Sequence, residues 1–278
     1  MEGILESMLN QICGADLFDS IYETLAINLF SSRGAYSSVY SAVRSLYNSI
    51  MPIGVMMMFI YFMIALVDKL SSETFTWEQF FRQLAMVLAA KFLMEHGFEI
   101  LETLFGIGLA VTAKVSEISG TDMSEVTIDA NGLIQDFLAS ANFTGIFKIF
   151  GQLLLMLYLI IPWALSFLMR LAISIICYSR VVEIYARASL APIALSDFFH
   201  SGLHGSGWRF LKNFLASCLQ GALILVIAIV FSRLYAAVVI SDSTNMITLA
   251  GKYLAFYASA IMLMFKSLPL AKELVGSA

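Results

Sequence analysis

The chain has 278 residues, 60% of them hydrophobic and only 13% charged, with a formal net charge of -4. So little polar surface cannot clothe a water-soluble globule, and sparse Lys and Arg under a negative balance leave no general basic surface for neutralising nucleic-acid phosphates. Cys13, Cys177 and Cys218 are odd in number and widely spaced, so they point to neither a disulfide framework nor a zinc site.

The N-terminus, MEGILESMLNQICGADLF, is acidic and lacks the basic-then-apolar plan of a cleavable signal peptide. Insertion is therefore expected to be driven by internal spans. Ile4, Leu5, Met8, Leu9, Ile12, Leu17, Phe18, Ile21 and Leu25 recur at a spacing near 3 to 4 among acids, the pattern of an amphipathic helix lying in an interface or packed on the protein's own bundle. Ser31-Ser32-Arg33-Gly34 breaks it from a second short helix toward Asn48. Pro52 then opens a first span over Ile50 to Val67, which carries no charge until Asp68.

Residues 76–114 are apolar but interrupted by Arg82, Lys91, Glu95, His96, Glu99 and Glu102. As one helix they would run well beyond about 50 Å, which implies tilt, protrusion or a break at Gly97. The stretch 114–145 sets Glu117, Asp122, Glu125, Asp129 and Asp136 against Lys114 alone and reads as an exposed loop with a short helix near Leu133 to Ala139. A third span, without charge, covers Ile149 to Met169. A basic, Gly-rich connection follows, and two closing spans lie near Phe214 to Val238 and Met246 to Phe265. The fold class is all-α: a polytopic membrane protein of about five transmembrane helices, or six if Leu171 to Ala186 crosses, with an N-terminal amphipathic helix. Residues 1–48 form the N-terminal region. Residues 49–278 form the transmembrane domain, with an outer loop at 114–145 and a cytoplasmic-side segment at 170–213.

Lys and Arg concentrate on the cytoplasmic side of membrane proteins. With five spans and the N-terminus outside, Lys69, Arg82, Arg170, Arg180, Arg187, Arg209, Lys212, Lys266 and Lys272 fall inside, whereas Arg33, Arg44 and Lys114 fall outside. The C-terminus is then cytoplasmic in the cell membrane. Because basic residues flank Leu171 to Ala186 at both ends, a cytoplasmic-side helix is favoured there over a crossing, with Arg180 and Glu183 spaced to pair on one face.

Ionisable groups at membrane depth are costly and usually face a bundle interior or a watery path. On a single helix Lys91, Glu95, Glu99 and Glu102 share a wedge of roughly 80°. The stripe reads as structural pairing of Lys91 with Glu95 and snorkelling acids, as pore or subunit-contact lining, or as a proton relay. Asp197, His200 and His204 have ligand spacing, but Gly202, Gly205 and Gly207 argue against a regular helix, and a solvated loop or partner contact is the simpler reading. No nucleophile elbow, phosphate-binding loop or metalloprotease pair occurs, so no catalytic residue, metal or cofactor is assigned. Gly106 with Ala110, Ser217 with Gly221, and Ala255 with Ser259 would permit close helix approach in lipid, and with the charged stripe they suggest a homo-oligomer.

The order of features, with FTWEQFFRQLAMVLAAKFLMEHGFEILETLF after the first span, an acidic outer loop, and RASLAPIALSDFF with its Ala191-Pro192 turn before two closing spans, resembles the TrbL-type polytopic membrane subunit of conjugative type IV secretion systems. The similarity is to the shorter relatives of Gram-positive bacteria and covers roughly residues 50 to 272. It implies a non-enzymatic channel or scaffold subunit of a DNA-transfer machine, working with secretion ATPases and other subunits of the system and without sequence-specific DNA binding. This chain departs from the larger members in lacking a long extracytoplasmic domain. Arg170, Arg180, Arg187, Arg209 and Lys212 would form a basic cytoplasmic face for anionic lipid headgroups, an acidic partner or passing DNA. The alternative class is a secondary transporter or another membrane channel, which paired broken helices and two-half symmetry would favour; no convincing internal repeat is present.

Overall fold

A computed structural model describes residue 25 and residues 27–32, 36–71, 76–119, 146–197, 205–240 and 246–276. Every regular element among them is an α-helix: α1 (Ser37–Ser71), α2 (Trp77–Glu95), α3 (Gly97–Ser119), α4 (Ile146–Ser196), α5 (Ser206–Ile240), α6 (Met246–Phe265) and α7 (Ser267–Val275). The chain is an all-helical membrane protein. Three stretches of the described residues are long and apolar enough to cross a bilayer, Ser37–Asp68, Trp163–Ser196 and Ser206–Phe231. In lipid the helix is the natural solution, because it pairs its own backbone polar groups.

Several boundaries differ from those expected. Helix α1 runs through position 48 without interruption and carries Pro52 in its interior rather than at its start. Pro192 is likewise inside α4, so Ala191-Pro192 is not a turn. A membrane helix accommodates such a proline because neighbouring groups and local adjustment re-satisfy the freed carbonyl. Helix α3 continues to Ser119, which makes Lys114 and Glu117 helical and pairs them at 2.7 Å. The segment Leu171 to Ala186 continues α4, whose 51 residues span about 75 Å, and it falls within the apolar stretch Trp163–Ser196. As one unbroken helix with the apolar run before it, the segment extends that span and is not a separate sixth pass. The acidic residues 122–136 and most of the N-terminal amphipathic region lie outside the described residues.

The chain divides into two compact units. In the first, Met169, Ile173, Ile176 and Cys177 of α4 meet Ile224, Leu225, Ala228 and Phe231 of α5 and Tyr257, Ala260 and Met264 of α6, with Leu25 joining them. Their spacings of three and four residues make one buried stripe per helix. Since lipid is as apolar as a leucine side chain, close packing rather than water exclusion holds such helices together, which is why fully buried Ala228 and Ala260 stand at the contact.

The second unit packs Tyr40, Val43, Tyr47 and Met58 of α1 with Val87, Ala90 and Met94 of α2, Phe98, Leu101 and Phe105 of α3, and the 184–195 face of α4. Phe30 lies within 5.2 to 6.3 Å, ring to ring, of Tyr40, Phe98, Phe105 and Tyr185. The Tyr185 hydroxyl donates to the Leu29 carbonyl at 2.6 Å, which fixes this non-helical strip against α4. Where α1 crosses α4, a Cβ on Gly54 would stand 2.6 Å from the Pro192 carbonyl oxygen, so the absence of a side chain sets the approach.

Candidate functional site

The α2–α3 junction divides the charged stripe. Helix α2 ends at Glu95, His96 takes φ -98° and ψ 5°, and α3 starts at Gly97. The cause is Tyr47, whose buried hydroxyl donates to the Met94 carbonyl at 2.5 Å and is met by the Phe98 backbone N–H. Those two groups would otherwise bond each other along the helix, and a side chain inserted into that ladder kinks it. A Cβ on Gly97 would collide with the same hydroxyl and lie 2.8 Å from Leu195, so the kink requires glycine. Of the alternatives that its length allowed, a break at Gly97 is the one observed.

Lys91 and Glu95 therefore sit near the C-terminal end of α2, while Glu99 and Glu102 belong to α3. Lys91 Nζ approaches Glu95 Oε1 to 3.6 Å, with the two side chains 54% and 44% exposed. Glu99 is exposed and faces His96 Nδ1 at 3.3 Å. Glu102 is half-buried. Tyr47 precedes the uncharged run that starts at Ile50, so its bond to Met94 brings this cluster to the polar end of the first span rather than its middle. Exposed pairs of this kind contribute little. Lys91→Met and Glu95→Leu, each alone, should change the unfolding free energy of the isolated chain in detergent by at most about 1 kcal/mol. If the cluster is covered by another subunit, Lys91→Met alone should instead depress oligomer yield, and the double change should restore it.

A second polar site lies where α4 meets the start of α5. Arg180 and Arg187 are two turns apart and so share a face of α4. Arg180 is only 4% exposed; its Nε donates to the Ser217 carbonyl at 3.1 Å and its Nη2 to the Cys218 carbonyl at 3.0 Å. Arg187 Nη1 donates to the Asn213 carbonyl at 2.7 Å and to Ser217 Oγ at 3.0 Å. Its Nη2 pairs with the Glu183 carboxylate. Glycine at 221 leaves the room Arg180 occupies, since a Cβ there would lie 2.6 Å from the guanidinium carbon. Two cations thus grip the backbone of a neighbouring helix inside stretches able to span a membrane. Such groups are expensive there unless paired or bonded to carbonyls.

The five basic residues grouped by sequence do not share one solvent face. Arg180 points into α5 and Arg187 is half-buried against it; Arg170 is half-buried and Arg209 is exposed. Lys212 reaches the Gly276 carbonyl at 3.2 Å and lies 6.0 Å from the Trp208 ring centre. Glu183 pairs four residues onward with Arg187, a spacing as favourable as the one to Arg180. Asp197 accepts from the Ser206 backbone N–H at 2.8 Å and its hydroxyl at 2.7 Å, joining the end of α4 to the start of α5. His200 and His204 lie outside the described residues. Among the described residues no group of three His, Cys, Asp or Glu could hold a metal ion.

The profile of the TrbL/VirB6 plasmid conjugal transfer like protein family matches residues 31–192, more than half the chain. The chain belongs to the TrbL/VirB6 family. No curated protein and no solved structure matches it. In this TrbL/VirB6-like chain the matched stretch takes in α1 to α3 and α4 as far as Pro192, and so both the His96 junction and the arginine pair. The match begins before residue 50 and ends well short of residue 272, the bounds of the resemblance in the sequence. Membership makes the protein a multi-pass membrane subunit of a conjugal transfer, type IV secretion, system that works with other subunits of that machinery.

Proposed function

We propose that the chain is a non-enzymatic channel or scaffold subunit of the conjugative machine, assembled as a homo-oligomer in the cell membrane. The observation that carries this reading is the family match over residues 31–192. The helices add a physical reason for a scaffold. Two guanidiniums fix α4 against α5 through backbone carbonyls, and such a joint keeps its geometry whatever side chains a partner presents. The exposed cluster at the His96 junction and exposed Arg209 are surfaces for other subunits, among them the secretion ATPases on the cytoplasmic side. The stripe Lys91, Glu95, Glu99 and Glu102 is then a subunit contact near the membrane surface.

The test is plasmid transfer. Deleting the chain should abolish conjugation, a copy supplied in trans should restore it, and formaldehyde should cross-link the transferring strand to the chain if it lines the path. Unchanged conjugation in the deletion would overturn the assignment. For the orientation, Ser206→Cys in a background lacking Cys13, Cys177 and Cys218 should label from the same side as Asn48→Cys, because Leu195 packs at the Tyr47 end of α1 and Asp197 binds Ser206. Labelling of the two from opposite sides would refute that packing.

A further inference from the structure

Helix α1 carries a polar first half and an apolar second half on one face. Ser37, Ser41, Arg44, Ser45, Asn48 and Ser49 line an open groove of about 570 Å³. Arg44 is held in it from behind, with Nη1 3.4 Å from the Tyr40 hydroxyl and the guanidinium carbon 5.8 Å from the Phe98 ring centre. Among the described residues no carboxylate pairs with Arg44. Ser41 Oγ and Ser49 Oγ donate to the carbonyls of Ser38 and Ser45, bonds that a hydroxyl exchanges readily for a ligand oxygen. The groove thus offers a positioned cation among hydroxyl and amide donors, the group of choice for a phosphate.

Its place along the helix says which phosphate. The uncharged run of the first span begins at Ile50, directly after the groove. At about 100° per residue, Phe59 returns to the azimuth of Ser41, and Met56 and Met63 fall within about 60° of it, both on the side of Ser45. All three are exposed. One face therefore presents hydrogen-bond donors and a cation at headgroup depth and, continuous with them, large flexible apolar side chains at acyl-chain depth. A free anion would use only the upper half of that arrangement. A second copy docked symmetrically would bring Arg44 toward its own like charge.

We propose that this face is a binding site for an anionic phospholipid, its phosphate on Arg44 and the surrounding serines and its acyl chains along Met56, Phe59 and Met63. The full chain is reconstituted into phosphatidylcholine nanodiscs doped with phosphatidylglycerol, and the lipids retained after release into the gas phase are counted by native mass spectrometry. The wild-type chain should retain phosphatidylglycerol over phosphatidylcholine. Arg44→Gln should weaken that preference at least about tenfold, the worth of one charge-assisted hydrogen bond. Added inorganic phosphate should not displace the lipid. Undiminished preference in Arg44→Gln, equal retention of the two lipids, or displacement by inorganic phosphate would each overturn the proposal. Should Arg44→Gln fail to fold, as judged by its melting in phosphatidylcholine alone, Ser41→Val with Ser45→Val fills the groove and leaves the cation. That double variant must then lose the retained lipid while melting as wild type does, and retention would refute the site.

Discussion

Gly221→Ala should destabilise the chain by roughly 2 to 4 kcal/mol, because it evicts a buried guanidinium whose hydrogen bonds to carbonyls are each worth about 1.5 to 3 kcal/mol. The added methyl would collide with Arg180 Nη1 and stand 2.7 Å from Nη2. Arg180 cannot give way within its site, because Nε and Nη2 are both committed to the carbonyls of Ser217 and Cys218. It must leave, and a cation displaced in an apolar bundle finds no equivalent acceptors nearby. The opposing term is the better helix propensity of Ala, up to about 1 kcal/mol. Arg180→Met removes the charge while keeping a flexible stem, a replacement that is often nearly neutral for buried ions. In that background Gly221→Ala should cost less than about 1 kcal/mol, since the two residues in contact are coupled. Equilibrium unfolding in mixed micelles measures all three variants. If Gly221→Ala is as costly with Met at 180 as with Arg, the guanidinium is not what the glycine accommodates.

The helices were legible in the sequence because hydropathy and the 3.6-residue period act locally. The uncharged run after Ile50 lies in α1, and the interrupted apolar stretch 76–114 resolves into α2 and α3 at the glycine that its length singled out. What sequence could not supply was the agent of that break. Tyr47 is distant in the chain, and only the packing of α1 on α2 brings its hydroxyl to Met94. Proline misled for a related reason. Pro52 and Pro192 are punctuation by local rules, yet in membrane helices neighbours make good the missing bond, and both stay helical.

The site was legible by residue type and obscure by direction. Arg180, Glu183 and Arg187 were noticed as charges beside an apolar run, but charge patterning alone distributes them to solvent, whereas the partners of Arg180 are backbone carbonyls that no sequence pattern marks. The remaining signal was Ser217 with Gly221: a small residue at a helix contact announces room, here for a guanidinium instead of another backbone. By sequence alone Arg44 is only a charge next to the first span. Its significance rests on the Tyr40 hydroxyl and on the Phe98 ring contributed by another helix.

Two glycines on α3 should respond to the same substitution with opposite signs. Sequence spacing drew attention to Gly106 with Ala110, but a Cβ on Gly106 would meet nothing within 4 Å. Gly108, two residues on, faces α5 instead: a Cβ there would lie 2.7 Å from the Cys218 carbonyl oxygen and 2.9 Å from its carbonyl carbon and Cβ. Those are backbone and near-backbone atoms, which cannot rotate aside as a long side chain would. Below, Thr112 is fully buried and donates to the Gly108 carbonyl at 2.9 Å, so the turn is held in register. Gly108→Ala must push the helices apart, an overpacking that costs about 1 to 3 kcal/mol, and the propensity gain of up to about 1 kcal/mol offsets only part of it. Gly106→Ala meets no obstacle and should stabilise the isolated chain by up to about 1 kcal/mol. Because both changes are chemically identical and sit on one helix, effects on the unfolded chain cancel in the comparison. The measurement is again unfolding in mixed micelles, and equal shifts of the same sign would mean that α3 and α5 do not approach at Gly108 and Cys218.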